Sequence, residues 1–233
     1  QISKYESEIH IGFDGIIDIT EKITISSQWA INKNGLHRDI NTTYFDDKEN
    51  KFRILVEVKE VLKDDLPIPF SVEDKPLIGK RIIIENPKVE MQPKSYTYTL
   101  RYQTNKQIGF YEKYDESYYN VIGLGWDYPI DSIKVKCILP EGTQIRSQAV
   151  YSGVLQENTN NYTSKLYSNK IMFKNILPLA KHERFTISLS WQKGIIYGSV
   201  NNRTKEDNLD KKLSLNRDDI YDDSWAVIIG IDK

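Results

Sequence analysis

YTYTLRY, residues 96–102, puts Tyr96, Tyr98, Leu100 and Tyr102 at alternate positions and leaves Thr97, Thr99 and Arg101 between them. Successive side chains of an extended chain point to opposite faces, so this period of two offers one aromatic face to a core and one polar face to water. The same period recurs on both sides. Towards the N-terminus, Ile9, Ile11 and Phe13 alternate with Glu8, His10 and Gly12. Asp14-Gly15 then offers a tight turn, because Gly accepts positive φ, and Ile17, Ile19, Glu21, Ile23 and Ile25 resume the alternation. Residues 51–61 alternate through Phe52, Ile54, Val56 and Val58, and residues 81–85 form a short apolar run of the buried-strand type. Towards the C-terminus, Ile133, Val135, Cys137 and Leu139 alternate up to the turn Pro140-Glu141-Gly142, and further strands are predicted at 145–151, 165–173 and 184–191. A helical period is weak everywhere, with its best hint at residues 61–66.

Composition agrees with this pattern. Fifteen Tyr and four Trp stand beside seven Phe and two Met, a balance that suits pleated, half-buried surfaces. The expected fold is all-β: two consecutive antiparallel β-sandwich (Ig-like) modules, residues 1–112 and 113–198. A polar, charge-dense linker follows at 199–223, then an isolated apolar strand, SWAVIIGIDK, at 224–233, which docks on a module or starts a further domain.

The remaining composition mainly excludes. Thirty-two basic residues balance 33 acidic ones, so the chain has no strongly basic face of the nucleic-acid-binding kind. No apolar run reaches the roughly 20 residues of a membrane-spanning helix. A single cysteine, Cys137, forms no internal disulfide, and its alternating strand places it on a core face, where a thiol behaves as a small hydrophobe. His10, His37 and His182 are scattered without the spacing of a zinc site, and no metal and no cofactor is expected. The acidic groups Asp46, Asp47, Glu49 and Asp218, Asp219, Asp222, Asp223 read as solvated loop charge. His37-Arg38-Asp39 resembles a kinase catalytic loop, but Tyr44 stands where that loop needs Asn. Because Gln1 is not a start methionine, a removed targeting segment is expected.

One stretch offers a surface. Phe110, Tyr111, Tyr114, Tyr118, Tyr119, Trp126 and Tyr128 form an aromatic band that would give flat faces to a protein, peptide or glycan partner. The competing and favoured expectation is that these rings fill the junction between the two modules.

Several segments, in order, carry a family pattern. GLHRDI at 35–40, the run from Tyr96 to Gly142 containing YYNVIGLGWDYPI, YSG at 151–153 and LSWQKG at 189–194 together resemble domain of unknown function 2207. That family is the extracytoplasmic part of YciQ-like predicted bacterial membrane proteins. The resemblance spans about residues 5–195 and implies an all-β module outside the cytoplasmic membrane without an assigned activity. It gives Gly35, Arg38, Asp39, Asn120 and Trp126 structural roles and no catalytic one. The terminal WAVIIGI is similar to the first core strand of caspase-like cysteine peptidases, including metacaspases. That resemblance implies a catalytic His and Cys beyond this chain, with Lys211, Lys212, Arg217 and Lys233 as residues suited to processing.

Two functional expectations follow. The leading one is a non-enzymatic extracytoplasmic binding or sensing module, periplasmic or at the cell surface, within a larger envelope-associated protein. The alternative is an N-terminal regulatory region of a caspase-like peptidase, packed on a downstream domain of the same protein.

Overall fold

The computed structural model describes residues 1–26, 36–45, 51–76, 79–84, 95–153 and 157–197. Gly35, Lys211, Lys212, Arg217, the linker at 199–223 and the strand at 224–233 lie outside them. The described residues form strands and turns only, as the alternation predicts. The first strands are β1 (Ile2–Ile11), β2 (Ile17–Ser26), β3 (Leu36–Ile40), β4 (Thr43–Phe45), β5 (Lys51–Arg53) and β6 (Val56–Lys63). Next come β7 (Leu66–Pro67), β8 (Phe70–Lys75), β9 (Gly79–Ile84), β10 (Ser95–Thr104), β11 (Ile108–Phe110) and β12 (Asp115–Ile122). The last are β13 (Ile130–Ile138), β14 (Ile145–Gly153), β15 (Glu157–Asn158), β16 (Tyr162–Tyr167), β17 (Lys170–Asn175) and β18 (Arg184–Trp191).

The strands do not divide at residue 112 into consecutive modules. One eight-stranded sheet runs in the order β16-β17-β13-β1-β2-β10-β6-β7, so it draws on both halves of the sequence. The joint is a parallel pairing of β1 with β13, from Ile2 opposite Ile130 to His10 opposite Ile138. Parallel neighbours need a long crossover, and here the crossover holds every element from β2 to β12. A second, antiparallel sheet has the order β11-β12-β18-β14-β15, and smaller sheets β3-β9-β8 and β4-β5 complete the described fold.

One core joins the two large sheets. Ile2, Tyr5, Ile9, Ile17, Ile19, Ile23, Tyr98, Leu100 and Val135 come from the inner face of the first, and Val121, Ile187, Leu189 and Trp191 from the second. Cys137 is part of this core, and burial pushes its thiol far above the usual range. Central strand β18 is buried along its whole length.

Two departures from the expected strands have local causes. The segment 61–66, read as weakly helical, is a two-residue hairpin in which Lys63 pairs with Leu66 around Asp64 and Asp65. Both turn residues adopt positive φ, 50° and 63°, as a type I′ turn requires, and Asp tolerates that region better than most side chains do. The expected strand at 165–173 is split by the turn at Ser168 into β16 and β17.

Candidate functional site

The site grows from a charge in the core. In ITEKITI the alternation of β2 puts Glu21 on the inward face between Ile19 and Ile23, and it has no exposed surface. A buried carboxylate needs a counter-ion and hydrogen bonds. Arg38 of β3 supplies both. Its Nε donates to Glu21 Oε2 at 2.9 Å and its Nη2 to Oε1 at 2.8 Å, while Nη2 also donates to the Val121 carbonyl at 2.9 Å and Nη1 to the Asp39 carbonyl. The Tyr102 hydroxyl donates to Glu21 Oε1 at 2.7 Å and lies 2.9 Å from the Tyr119 hydroxyl, and the Tyr5 hydroxyl donates to the Val121 carbonyl at 3.3 Å. β2, β3, β10, β12 and β1 therefore meet at one ion pair.

Burial opposes the charge on Arg38, but the Glu21 carboxylate and its hydrogen bonds outweigh it and hold the guanidinium well above its ordinary pKa. Burial, then the Glu21 charge, raises the Tyr102 hydroxyl well above its usual value, and burial likewise raises Tyr5 against the opposing Arg38 charge. Tyr44, Tyr98 and Tyr118 are pushed up to about 12 by burial. A raised folded-state value stabilises the fold fully below the unfolded tyrosine pKa of about 10, and that contribution is lost as pH climbs through the folded values. Alkaline titration followed by absorbance at 295 nm should therefore show Tyr5 and Tyr102 ionising together with unfolding. Their ionisation in a native protein, well before far-ultraviolet circular dichroism changes, would contradict the buried network.

Next to Arg38, the chain alternation turns Asp39 the other way, into a cleft of about 310 Å³. Asp39 stands opposite Arg81 of β9 and accepts two parallel bonds, from Nε at 2.6 Å and Nη2 at 2.7 Å. The hydrogen bonds to Asp39 raise the Arg81 guanidinium above its usual value despite partial burial. Gly125 lies against this carboxylate: a Cβ there would come within 3.1 Å of Asp39 Oδ2. Asn120, from the outward face of β12, lines the same cleft with His37, Asp127, His182 and Arg184. His182 holds a positive φ of 59° and is tied to the loop after β12, its backbone N–H donating to the Trp126 carbonyl at 3.0 Å and its Nδ1 lying 3.1 Å from the Leu124 carbonyl. Its Nε2 is 3.6 Å from Asp127 Oδ1 at the exposed rim.

Chemically the cleft offers a fixed guanidinium–carboxylate pair, two imidazoles, three amides and a rim carboxylate. These can accept and donate hydrogen bonds to a polar ligand. Its lining holds no Ser, Thr or Cys among the described residues.

The residues singled out from sequence separate into two groups. Arg38, Asp39 and Asn120 converge on the cleft. The aromatic band does not form one surface. Tyr118 and Tyr119 are consecutive in a strand and must point to opposite faces, so Tyr119 enters the core while Tyr118 packs on Tyr151 outside it, ring centroids 5.4 Å apart. Trp126 is also a core residue, packed edge-to-face with Tyr5 at 6.1 Å, and is not open to a partner, while Tyr119 reaches the surface only at the cleft wall. Tyr111 and Tyr114 stack on each other at 4.8 Å in the β11–β12 turn, and Tyr128 is half-buried against the core. Glu21, Arg81, Gly125, Asp127 and His182 were not foreseen. Only Glu21 left a readable signal, a charge at an apolar position of a strict alternation.

A family model described as the N-terminal domain of a predicted membrane protein, DUF2207, matches residues 1–209. The chain belongs to this family. No curated protein matches it. Among solved structures, the DUF2207 chain is similar to yeast LTA4 hydrolase in complex with bestatin (TM-score 0.49, 12% identity), covering 81% of this chain and 28% of that one. It is also similar to the M1 zinc metallopeptidase from Deinococcus radiodurans (TM-score 0.43, 7% identity), covering 80% and 42%. The DUF2207 chain thus spans well under half the length of either structure. Among its described residues no helix is long and apolar enough to cross a membrane.

Proposed function

We propose that this domain is a non-enzymatic, extracytoplasmic binding or sensing module of an envelope-associated protein, and that it binds through the cleft beside Asp39 and Arg81. One observation carries the reading. Arg38 and Asp39, from one segment of the family pattern, and Asn120, from another about eighty residues away in sequence, line a single cleft with Gly125 fitted against Asp39. Packing alone explains Arg38, which is consumed by Glu21. It does not explain a part-buried bidentate pair beside two histidines and several amides, which is the arrangement of a preformed polar site. Short peptides and oligosaccharides, rich in hydrogen-bonding groups, suit such a lining.

Thermal unfolding of the 233-residue chain against a panel of short peptides and oligosaccharides tests this. A ligand present at a hundred times its Kd should stabilise the chain by about 2.7 kcal/mol. Arg81→Gln and Asn120→Ala should abolish that gain while leaving the unliganded protein folded. Absence of stabilisation by any panel member, or a gain that survives both substitutions, would remove the cleft from consideration.

A further inference from the structure

Register places the loop tips of the two large sheets at two ends. His10 opposite Ile138, Ile138 opposite Lys170 and Lys170 opposite Tyr167 bring the turn after β1 and the turn between β16 and β17 to one end. Thr104 opposite Ile17 and Val56 opposite Thr104 bring Leu55 to the same end. The second sheet joins through the short connection from Leu139 to Ile145, with Ile145 opposite Trp191, Trp191 opposite Asp115 and Asp115 opposite Phe110. The backbone N–H of Tyr197 then donates to the Phe13 carbonyl at 2.7 Å, fastening the last described residue to the β1–β2 turn.

Large exposed apolar side chains are unevenly shared. Of the ten in the described chain, six stand at this end: Phe13, Leu55, Phe110, Leu166, Tyr167 and Tyr197. Phe13 is 51% exposed and Tyr197 77%. They occupy separate turns, where the exposed Lys113, Lys165, Lys170 and Lys193 outnumber the exposed turn acids Asp14, Glu112 and Glu141. Single aromatic and aliphatic tips interleaved with lysines match the layered chemistry of a bilayer surface, where rings sit at headgroup depth and ammonium groups meet phosphates. A protein partner would call for a contiguous, shape-defined patch instead. The cleft loops, Gly123–Asp127 and His182, lie at the opposite end, beside the start of β13 and of β18.

We infer that the domain stands end-on against a lipid bilayer, through the turns carrying Phe13, Leu55, Phe110, Leu166 with Tyr167, and Tyr197. Membership in a family of predicted membrane proteins favours a bilayer over a second copy of the chain. The inference does not rest on the cleft being a ligand site. In this orientation the Gly123–Asp127 loop and His182 of the cleft lie away from the lipid.

Flotation of the 233-residue chain with phosphatidylcholine vesicles, and with vesicles containing phosphatidylglycerol, tests the inference. The chain should float with both and more strongly with the anionic ones. Combined Phe13→Ser, Leu55→Ser and Tyr197→Ser should weaken association at least about tenfold, since each removes apolar area from the bilayer. Leu66→Ser with Ile176→Ser, at the other end, should leave it unchanged. All five positions are exposed, so folding is not at stake. The inference is overturned by no flotation with either vesicle, by binding that depends on anionic lipid but ignores the triple variant, or by equal loss in the two sets. A concentration-dependent dimer abolished by the triple variant would assign the surface to a second copy instead.

Discussion

Arg38→Met is expected to destabilise the domain by about 3–5 kcal/mol, because it strands the Glu21 carboxylate in the core without its counter-ion. The cost does not come from the lost attraction alone. Two charges drawn out of water recover little net energy from each other, but one left behind keeps its whole desolvation penalty. Val121 and Asp39 also lose a donor to their carbonyls. In a domain of this size the melting temperature should fall by roughly 6–20 °C. The double variant Arg38→Met with Glu21→Leu separates the two explanations. Removing both charges leaves Tyr102 bonded to Tyr119 and should recover most of the loss, whereas a purely steric role for Arg38 predicts that the second substitution adds damage. Equilibrium denaturation of the three proteins decides between them. A single variant within about 1 kcal/mol of the parent would mean that Glu21 is hydrated and that the network does not organise the core.

How much of this was legible in the sequence depends on the range of the interaction. Strands announced themselves wherever one face is buried and the other wet: Ile17 to Ile25 and Tyr96 to Tyr102 fall in observed strands, and residues 184–191 coincide with β18. Strand β12 was hidden. Its inward face carries Asp115 and Ser117 as well as Tyr119 and Val121, so DESYYNVI has no clean apolar period, and its rings read as part of an aromatic band, at a module junction or a surface, and not as a strand. Strands β3, β8 and β11 are short or lack a buried face, which removes the signal altogether. Pairing was the larger loss. Nothing local marks Ser7 as the neighbour of Val135, and a parallel partner more than 120 residues away can be found only from the assembled sheet. The cleft inherits both difficulties. Arg38, Asp39 and Asn120 were noticed through a family pattern, but Arg81 was invisible because a strand arginine is ordinarily a solvated one. His182 carried no periodic signal at all.

The second large effect belongs to Trp126, where the two expectations for the aromatic band give opposite results. Trp126→Ala should cost about 3–5 kcal/mol, the range for emptying a large buried aromatic site. The indole packs edge-on against Tyr5, so the loss includes an aromatic contact worth about 1 kcal/mol beyond area burial. Trp126→Phe keeps a ring and most of the volume and should recover roughly half. The consequence reaches the cleft through the backbone. Trp126 anchors the loop that carries Leu124, Gly125 and Asp127, and its carbonyl holds the N–H of His182, which sits at positive φ and depends on that bond. With the indole gone, the loop loses its attachment to the core, and the rim of the cleft opposite Asp39 should lose order together with stability. Amide hydrogen exchange on the variant measures this: faster exchange at residues 123–127 and 182, with β1 and β2 protected, is the expected pattern. Had Trp126 belonged to a ligand-facing surface, truncation would change stability by less than about 0.5 kcal/mol and leave those amides as they are. Core anchor and surface platform therefore part on a single substitution, and the buried indole predicts the former.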